Sequence, residues 1–389
     1  MAAAVVDATG QLDPGNRRDG QDGRRALQGQ PAVKVFIGMS GGVDSSVAAA
    51  LLKEQGHEVT GVYMKNWTQD LPGMKCPWAD DLSDAKRVAV QLGIPFKIYD
   101  FEAEYKHKVV DYMVAEYAAG RTPNPDIMCN QEVKFKLFLE AALEDGADAI
   151  ATGHYARISS MTDDAGRSRP ALRMAVDANK DQTYFLYRIT EHALAHTLFP
   201  IGEFHKPHIR EIAAEKGLYT AGKKDSQGIC FVGKIGIKEF LSQYVEGVPG
   251  NIVNSATGEV LGRHDGAIFY TIGQRHGLGL GGGLPLYVTG KDMKKNIVYV
   301  TSKLDDTGLW HREVTLGDTH WIHEAPVPDR KYTVRLRHRA ALLAAHFEAV
   351  GEGTARLQLQ DEERAVTPGQ SVVVYDGETV IGGGIVAVS

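Results

Sequence analysis

The chain has 389 residues, 43% hydrophobic and 24% charged, the make-up of a globular protein of two or three domains. No run of about 18 apolar residues occurs, which excludes a transmembrane helix, and the three cysteines, Cys76, Cys129 and Cys230, show neither CxxC nor Cys/His spacing, which excludes a disulfide scaffold and a zinc module. A formal net charge of −6 excludes a uniformly basic nucleic-acid binder, so any affinity for RNA must come from local positive charge.

Residues 1–32 are rich in Gly, Ala, Asp, Arg and Gln and poor in large apolar side chains. So little apolar surface cannot offset the entropy of ordering, and a disordered tail is expected. The apolar stretch of a signal peptide is missing. Asp7, Asp13, Asp19 and Asp22 interrupt the arginines (Arg17, Arg18, Arg24, Arg25) that a mitochondrial presequence would need, so a cytoplasmic location with reduced thiols is expected.

From Val33 the pattern is that of a folded domain. A buried-type strand over 33–38 leads into a loop of turn formers, then a helix from Ser46 to Gly56 with Val47, Ala50 and Leu51 at helical spacing. A strand over 59–64, a helix over 81–92, a strand over 95–99, a helix from about Lys134 to Leu143 and a strand over 147–152 follow. This alternation predicts an α/β domain with a parallel sheet covered on both faces, assigned to 33–237. Past Lys238 the glycine-rich stretch 247–283 shows no long helix and predicts a small mixed domain over 238–308. From about Val314 the pattern is all β and predicts a C-terminal barrel or sandwich over 309–389. Within it, 332–339 alternates, Val334 and Leu336 facing one way and Arg335, Arg337 and Arg339 the other, which predicts a basic stripe. Val372–Tyr375, the pair Asp376-Gly377 and the run from Val380 predict a hairpin.

Three strings carry chemistry. Ser40-Gly-Gly-Val-Asp-Ser-Ser46 sits between a predicted strand and a predicted helix, where glycines let backbone N–H groups approach phosphate. It lacks the lysine of GxxxxGK[ST] and the spacing of GxGxxG. The motif SGGxDS resembles the PP-loop of the ATP pyrophosphatases, which cleave ATP between the α and β phosphates and adenylate an oxygen. In the second string, Arg121 to Asn130, two prolines stiffen a loop ahead of Cys129, and Asp126 lies three residues before the thiol, placed to move a proton. The third, Lys223 to Gly233, sets Lys223 and Lys224 near Cys230, where positive charge favours thiolate. Cys76 reads as a buried structural thiol, and His57, His107 and His196 show no metal spacing.

Together the strings GMSGGVDSS (38–46), VYMKNW (62–67), GRTPNPDIMCN (120–130), ATGHYAR (151–157), KDQTYFL (180–186), KKDSQGICF (223–231), TIGQRHGLG (271–279) and TPGQSVVVY (367–375) resemble, in order, the tRNA-specific 2-thiouridylases. The resemblance covers nearly all the chain after residue 32. It implies an adenine nucleotide α-hydrolase-like PP-loop domain, a central domain that contacts tRNA and a C-terminal β-barrel. It implies ATP held by Gly38, Met39, Ser40, Gly41, Gly42, Val43, Asp44, Ser45, Met64 and Gly153, with Mg²⁺ on the phosphates. Asn124, Pro125 and Asp126 would surround the target uracil in the anticodon loop, Asp126 as acid/base. Cys230 would carry persulfide sulfur from a donor protein, and Cys129 would be the second catalytic thiol. His154, Lys180, Asp181, Gln182, Arg337, His338 and Gln370 would contact tRNA, with His338 standing where many relatives have tyrosine. A PP-loop enzyme that forms an amide, or a non-catalytic sulfur-carrying or RNA-binding module, remains open on the residues alone.

Overall fold

The computed structural model describes residues 32–70, 76–163, 165–224, 236–281, 284–303 and 309–387; the expectations for the N-terminal tail and for Cys230 lie outside them. Among the described residues no helix is long and apolar enough to cross a membrane.

The first unit is a parallel sheet. β1 (Lys34–Gly38), β2 (Glu58–Lys65), β3 (Phe96–Asp100) and β4 (Ala149–Ala151) lie in it, a hairpin of β5 (Arg157–Thr162) and β6 (Ser168–Arg173) leaves it, and β7 (Thr197–Leu198) returns. The order is β3-β2-β1-β4-β7, parallel throughout. Val35, Phe36 and Ile37 are all buried, because a sheet covered on both faces leaves no polar side for β1. α1 (Val43–Glu54) is likewise buried nearly all round, Ala48, Ala49 and Leu52 joining the positions expected from periodicity. α2 (Trp78–Leu92) covers the sheet beside it. The chain runs outward from β1 to β2 and β3, then crosses back to β4 on the other side. Strand order therefore reverses at β1/β4, and the crevice outside the carboxyl ends of two such strands is where open α/β sheets bind ligands.

Two helical runs flank this crevice. α3 (Glu102–Tyr105) and α4 (Tyr112–Ala118) are joined by a π-helical stretch, Lys106–Asp111. α5 (Pro125–Met128) continues into a second π-helical stretch, Cys129–Leu137, and then α6 (Phe138–Glu144). The helix expected from Lys134 thus starts at Pro125, and Cys129 sits on a helix rather than on a loop. Its start is set locally: the Asn124 side chain accepts from the N–H groups of Asp126 (3.2 Å) and Ile127 (3.4 Å), and Pro125 occupies a first-turn position that has no partner for an N–H. α7 (Glu191–Ala195) and α8 (Lys206–Glu215) complete the unit.

The second unit is a short helix, α9 (Ile237–Leu241), and a sheet of β8 (Gly250–Asn254), β9 (Val260–His264), β10 (Tyr287–Asp292) and β11 (Ile297–Thr301) in the order β10-β11-β8-β9. The third comprises β12 (Trp310–Trp321), β13 (Lys331–Arg335), β14 (Leu343–Gly351), β15 (Thr354–Arg364), β16 (Ser371–Asp376) and β17 (Thr379–Val386). β12 pairs with both β15 and β17, closing these antiparallel strands into a barrel without free edges. β6 adds to β17 at Thr379↔Arg173, so the first unit's hairpin is continuous with the barrel sheet. The strand expected over 332–339 ends at Arg335; the chain then turns, with Arg339 at φ 62.

Candidate active site

The loop after β1 is braced from within. Ser40 N–H donates to Ser45 Oγ (3.2 Å), and the Ser45 and Ser46 hydroxyls donate to Gly42 O (3.3 and 2.7 Å). Gly41 has φ +71, and a Cβ there would lie 2.4 Å from Asp81 O. Gly42 caps α1 without a side-chain bond, so the first-turn N–H groups face the crevice unclaimed by a capping side chain. Gly153, just after β4, packs against the same turn: a Cβ there would stand 2.6 Å from Ser45 N. The Met64 methyl lies 2.7 Å from the corresponding point on Gly38. The loop, Met64 and Gly153 therefore surround one site at β1/β4. Asp44 Oδ1 accepts from Tyr155 Oη (2.9 Å) and from the buried Lys206 Nζ (2.6 Å). Neither partner was expected from the sequence; Tyr155 lies in the ATGHYAR string, but nothing local marks Lys206.

The thiol helix meets this site from the side. Cys129 is 1% exposed, and Asp126, one turn earlier, shares its side of the helix. The π-helical turn here is a distortion frequent at functional sites. Further along, Lys134 Nζ lies 3.5 Å from His154 Nε2, and His154 Nδ1 lies 2.7 Å from Thr152 Oγ1. His154, expected to contact RNA, is instead buried against Phe135 and Phe199. Burial first, and the Lys134 charge second, hold its pKa well below the usual imidazole value, so the ring is neutral. Since His154 follows Gly153, the SGGVDS loop, the end of β4 and the Cys129 helix form one contiguous cluster. The Lys223 ammonium lies 2.7 Å from Asp81 and 2.8 Å from Asp84; its expected effect on the Cys230 thiol falls outside the described residues. Cys76 is buried, its N–H held by Asp70 (2.8 Å), and burial raises its pKa, as a structural thiol requires.

A family model described as the tRNA methyl transferase HUP domain matches residues 33–234, the tRNA methyl transferase PRC-barrel domain matches 238–302 and the aminomethyltransferase beta-barrel domain matches 311–386. The tRNA-specific 2-thiouridylase MnmA of Bacillus subtilis (strain 168) is 49% identical over 358 residues, 91% of this chain and 94% of that protein. The protein so named from Lysinibacillus sphaericus (strain C3-41) is 47% identical over 356 residues, 91% and 94% of the two chains. The chain belongs to the tRNA-specific 2-thiouridylase family.

In this 2-thiouridylase the residues expected at the RNA surface divide. Asp181 is 2% exposed and accepts from Ala175 N (3.0 Å), Thr183 Oγ1 (2.8 Å) and Arg335 Nη1 (3.0 Å). It is an internal anchor, and Arg335, itself buried over the Tyr375 ring, pins the barrel to it. The predicted basic stripe is therefore not formed. Arg335 points into the domain junction, Arg337 turns to Glu363 (2.9 Å), and the turn takes Arg339 out of register. Gln182 Oε1 accepts from Tyr155 N (2.9 Å) within the first unit, whereas Gln370 Nε2 donates to Thr122 O (2.7 Å) and ties the barrel to the first unit. Lys180 is half-buried beside Asp181. His338 packs on Phe185 with ring centroids 4.4 Å apart, and the Phe185 carbonyl accepts from Asn130, the neighbour of Cys129 (3.0 Å). Burial, then the charges of Arg339 and Arg335, push His338 down to about 4. The unfolded chain takes up that proton first, so the His338 contribution to stability is full above pH 6.5 and declines as pH falls towards about 4. An imidazole NMR titration is expected to place its midpoint near 4; a midpoint at the ordinary value would contradict its burial on Phe185.

Proposed function

We propose that this chain converts the wobble uridine of tRNA to 2-thiouridine in the cytoplasm, by adenylation of the uracil 2-oxygen and sulfur transfer from a persulfide on Cys230. The observation that carries the reading is the contiguity of the SGGVDS loop, Gly153, His154 and the Cys129 helix at the switch point of the sheet. ATP, when bound, supplies the leaving group that an amide-like oxygen lacks, and Mg²⁺ would balance the phosphates' charge. The donor set fits a nucleotide: uncapped N–H groups at α1, two glycines where a Cβ would clash, and one carboxylate, Asp44, near the phosphate side. Among the described residues no protein-only metal cluster exists, so a cation there would depend on the nucleotide itself.

Asn124, Pro125 and Asp126 would hold the flipped base, with Asp126 moving a proton as the 2-oxygen departs. The terminal sulfur of the Cys230 persulfide attacks carbon 2 and displaces the activated oxygen. The Cys129 thiolate then attacks the Cys230 sulfur, leaving sulfur on carbon 2 and a Cys129–Cys230 disulfide, which a dithiol reductant reopens. A persulfide-bearing donor protein reloads Cys230. The same product forms if Cys129 instead releases hydrosulfide that attacks carbon 2.

Mass analysis of tRNA nucleosides, after incubation with ATP and a sulfur source, tests this. Cys129→Ser and Cys230→Ser are expected to lower 2-thiouridine at least about a thousandfold, the scale for loss of an essential nucleophile, while ATP-dependent pyrophosphate release persists. An amide-forming enzyme would tolerate both substitutions. A non-catalytic binding module would release no pyrophosphate and would tolerate Asp44→Ala.

A further inference from the structure

Lys206 is a buried ammonium in the nucleotide crevice that neither the motif nor the mechanism above uses. Its side chain is 9% exposed, whereas the Asp44 carboxylate it pairs with, 2.6 Å away, is 32% exposed. The carboxylate thus faces the open side of the crevice and the lysine backs it from below. Its backbone is fixed as well: Lys206 N–H donates to the buried Asp177 Oδ2 (2.9 Å), and Pro207 follows in the first turn of α8. Tyr155, whose ring the ammonium also overlies, donates to the same Asp44 oxygen (2.9 Å). Both donors meet Oδ1; among the described residues no protein donor meets Oδ2.

The position of Asp44 makes this pairing matter. It lies in the first turn of α1, where a carboxylate is attracted to the helix's own N–H groups and would compete with an anion for them. Unneutralised, it would also repel a triphosphate. We propose that Lys206 is a positioning residue for nucleotide binding: it draws the Asp44 carboxylate off the α1 N-terminus and cancels its charge, leaving the N–H groups to the phosphates and the second carboxylate oxygen to the cation that accompanies them. This rests on the reading that the loop binds ATP.

The test is calorimetric titration of the full chain with ATP and MgCl₂, without tRNA, on Lys206→Met, Asp44→Asn, the double variant and Lys206→Arg. Lys206→Met is expected to weaken ATP binding about tenfold, and to change it less than about twofold when Asp44 is already Asn, because the two residues act as one unit. Lys206→Arg is expected to restore most of the affinity. Wild-type affinity in Lys206→Met, or an equal loss in both backgrounds, overturns the proposal, even if the variant melts lower. Should Lys206→Met not fold, Tyr155→Phe decides: it removes a donor to the same oxygen and is expected to weaken ATP about threefold, and unchanged affinity overturns the proposal. A wild-type chain that binds no ATP would sink the nucleotide reading itself, which is a separate result.

Discussion

Asp181→Asn is expected to destabilise the protein by about 3–5 kcal/mol, the range for a buried ion pair that loses one partner. The Asp181 side chain is 0% exposed and that of Arg335 is 8% exposed, so the stranded guanidinium would be almost wholly cut off from water. The pair also bridges units, since Asp181 belongs to the segment after β6 and Arg335 ends β13 of the barrel. A lower urea midpoint, with the barrel detaching first, is the expected result. Asp181→Leu combined with Arg335→Met should recover most of the loss, since a well-packed apolar pair often replaces a buried ionic one without penalty. A variant of Asp181 alone that keeps its midpoint but loses tRNA affinity would contradict this and return the residue to the RNA surface.

The same pair shows where sequence reading stopped. Period-2 alternation located β13 as far as Arg335 and ran it on four residues too far, and alternation says only that two faces differ. A charged face meets solvent when nothing covers it, and here the segment carrying Asp181 covers it, 154 positions away in the chain. Lys206 was illegible for the same reason, its partner being 162 positions distant. By contrast β1, its loop and α1 were legible because a short apolar run, turn formers and a helical pattern are consecutive and local. The helix under Cys129 carries a local signal beyond the stiffness of its prolines. Asn124-Pro125-Asp126 is also a helix start, with a capping side chain, a proline at a position needing no N–H, and an acid in the first turn. That start turns Asp126 and Cys129 from loop neighbours into residues one turn apart on a helix.

Gly153→Ala is expected to weaken ATP binding by more than about tenfold, on the scale of the 1–3 kcal/mol that overpacking costs, while tRNA binding in the absence of ATP stays near its original strength. The new methyl would lie 2.6 Å from Ser45 N, 2.9 Å from Asp44 C and 2.9 Å from Ser45 Cα, all backbone atoms of the first turn of α1. No side chain can rotate away to relieve this. The turn is also wedged from behind, because Gly41 abuts Asp81 O of α2 and the Asp44 carboxylate is tied to Tyr155 and Lys206. The strain must therefore pass into the separation of β4 from the loop, which is the width of the crevice itself. Gly222→Ala is the control, since a Cβ there meets nothing within 4 Å and the backbone is not left-handed. Equal ATP affinity in the two variants would mean that the crevice between β1 and β4 is not where the nucleotide sits. A loss confined to Gly153→Ala would tie the nucleotide to the strand end that also carries His154, and through Lys134 to the helix of Cys129.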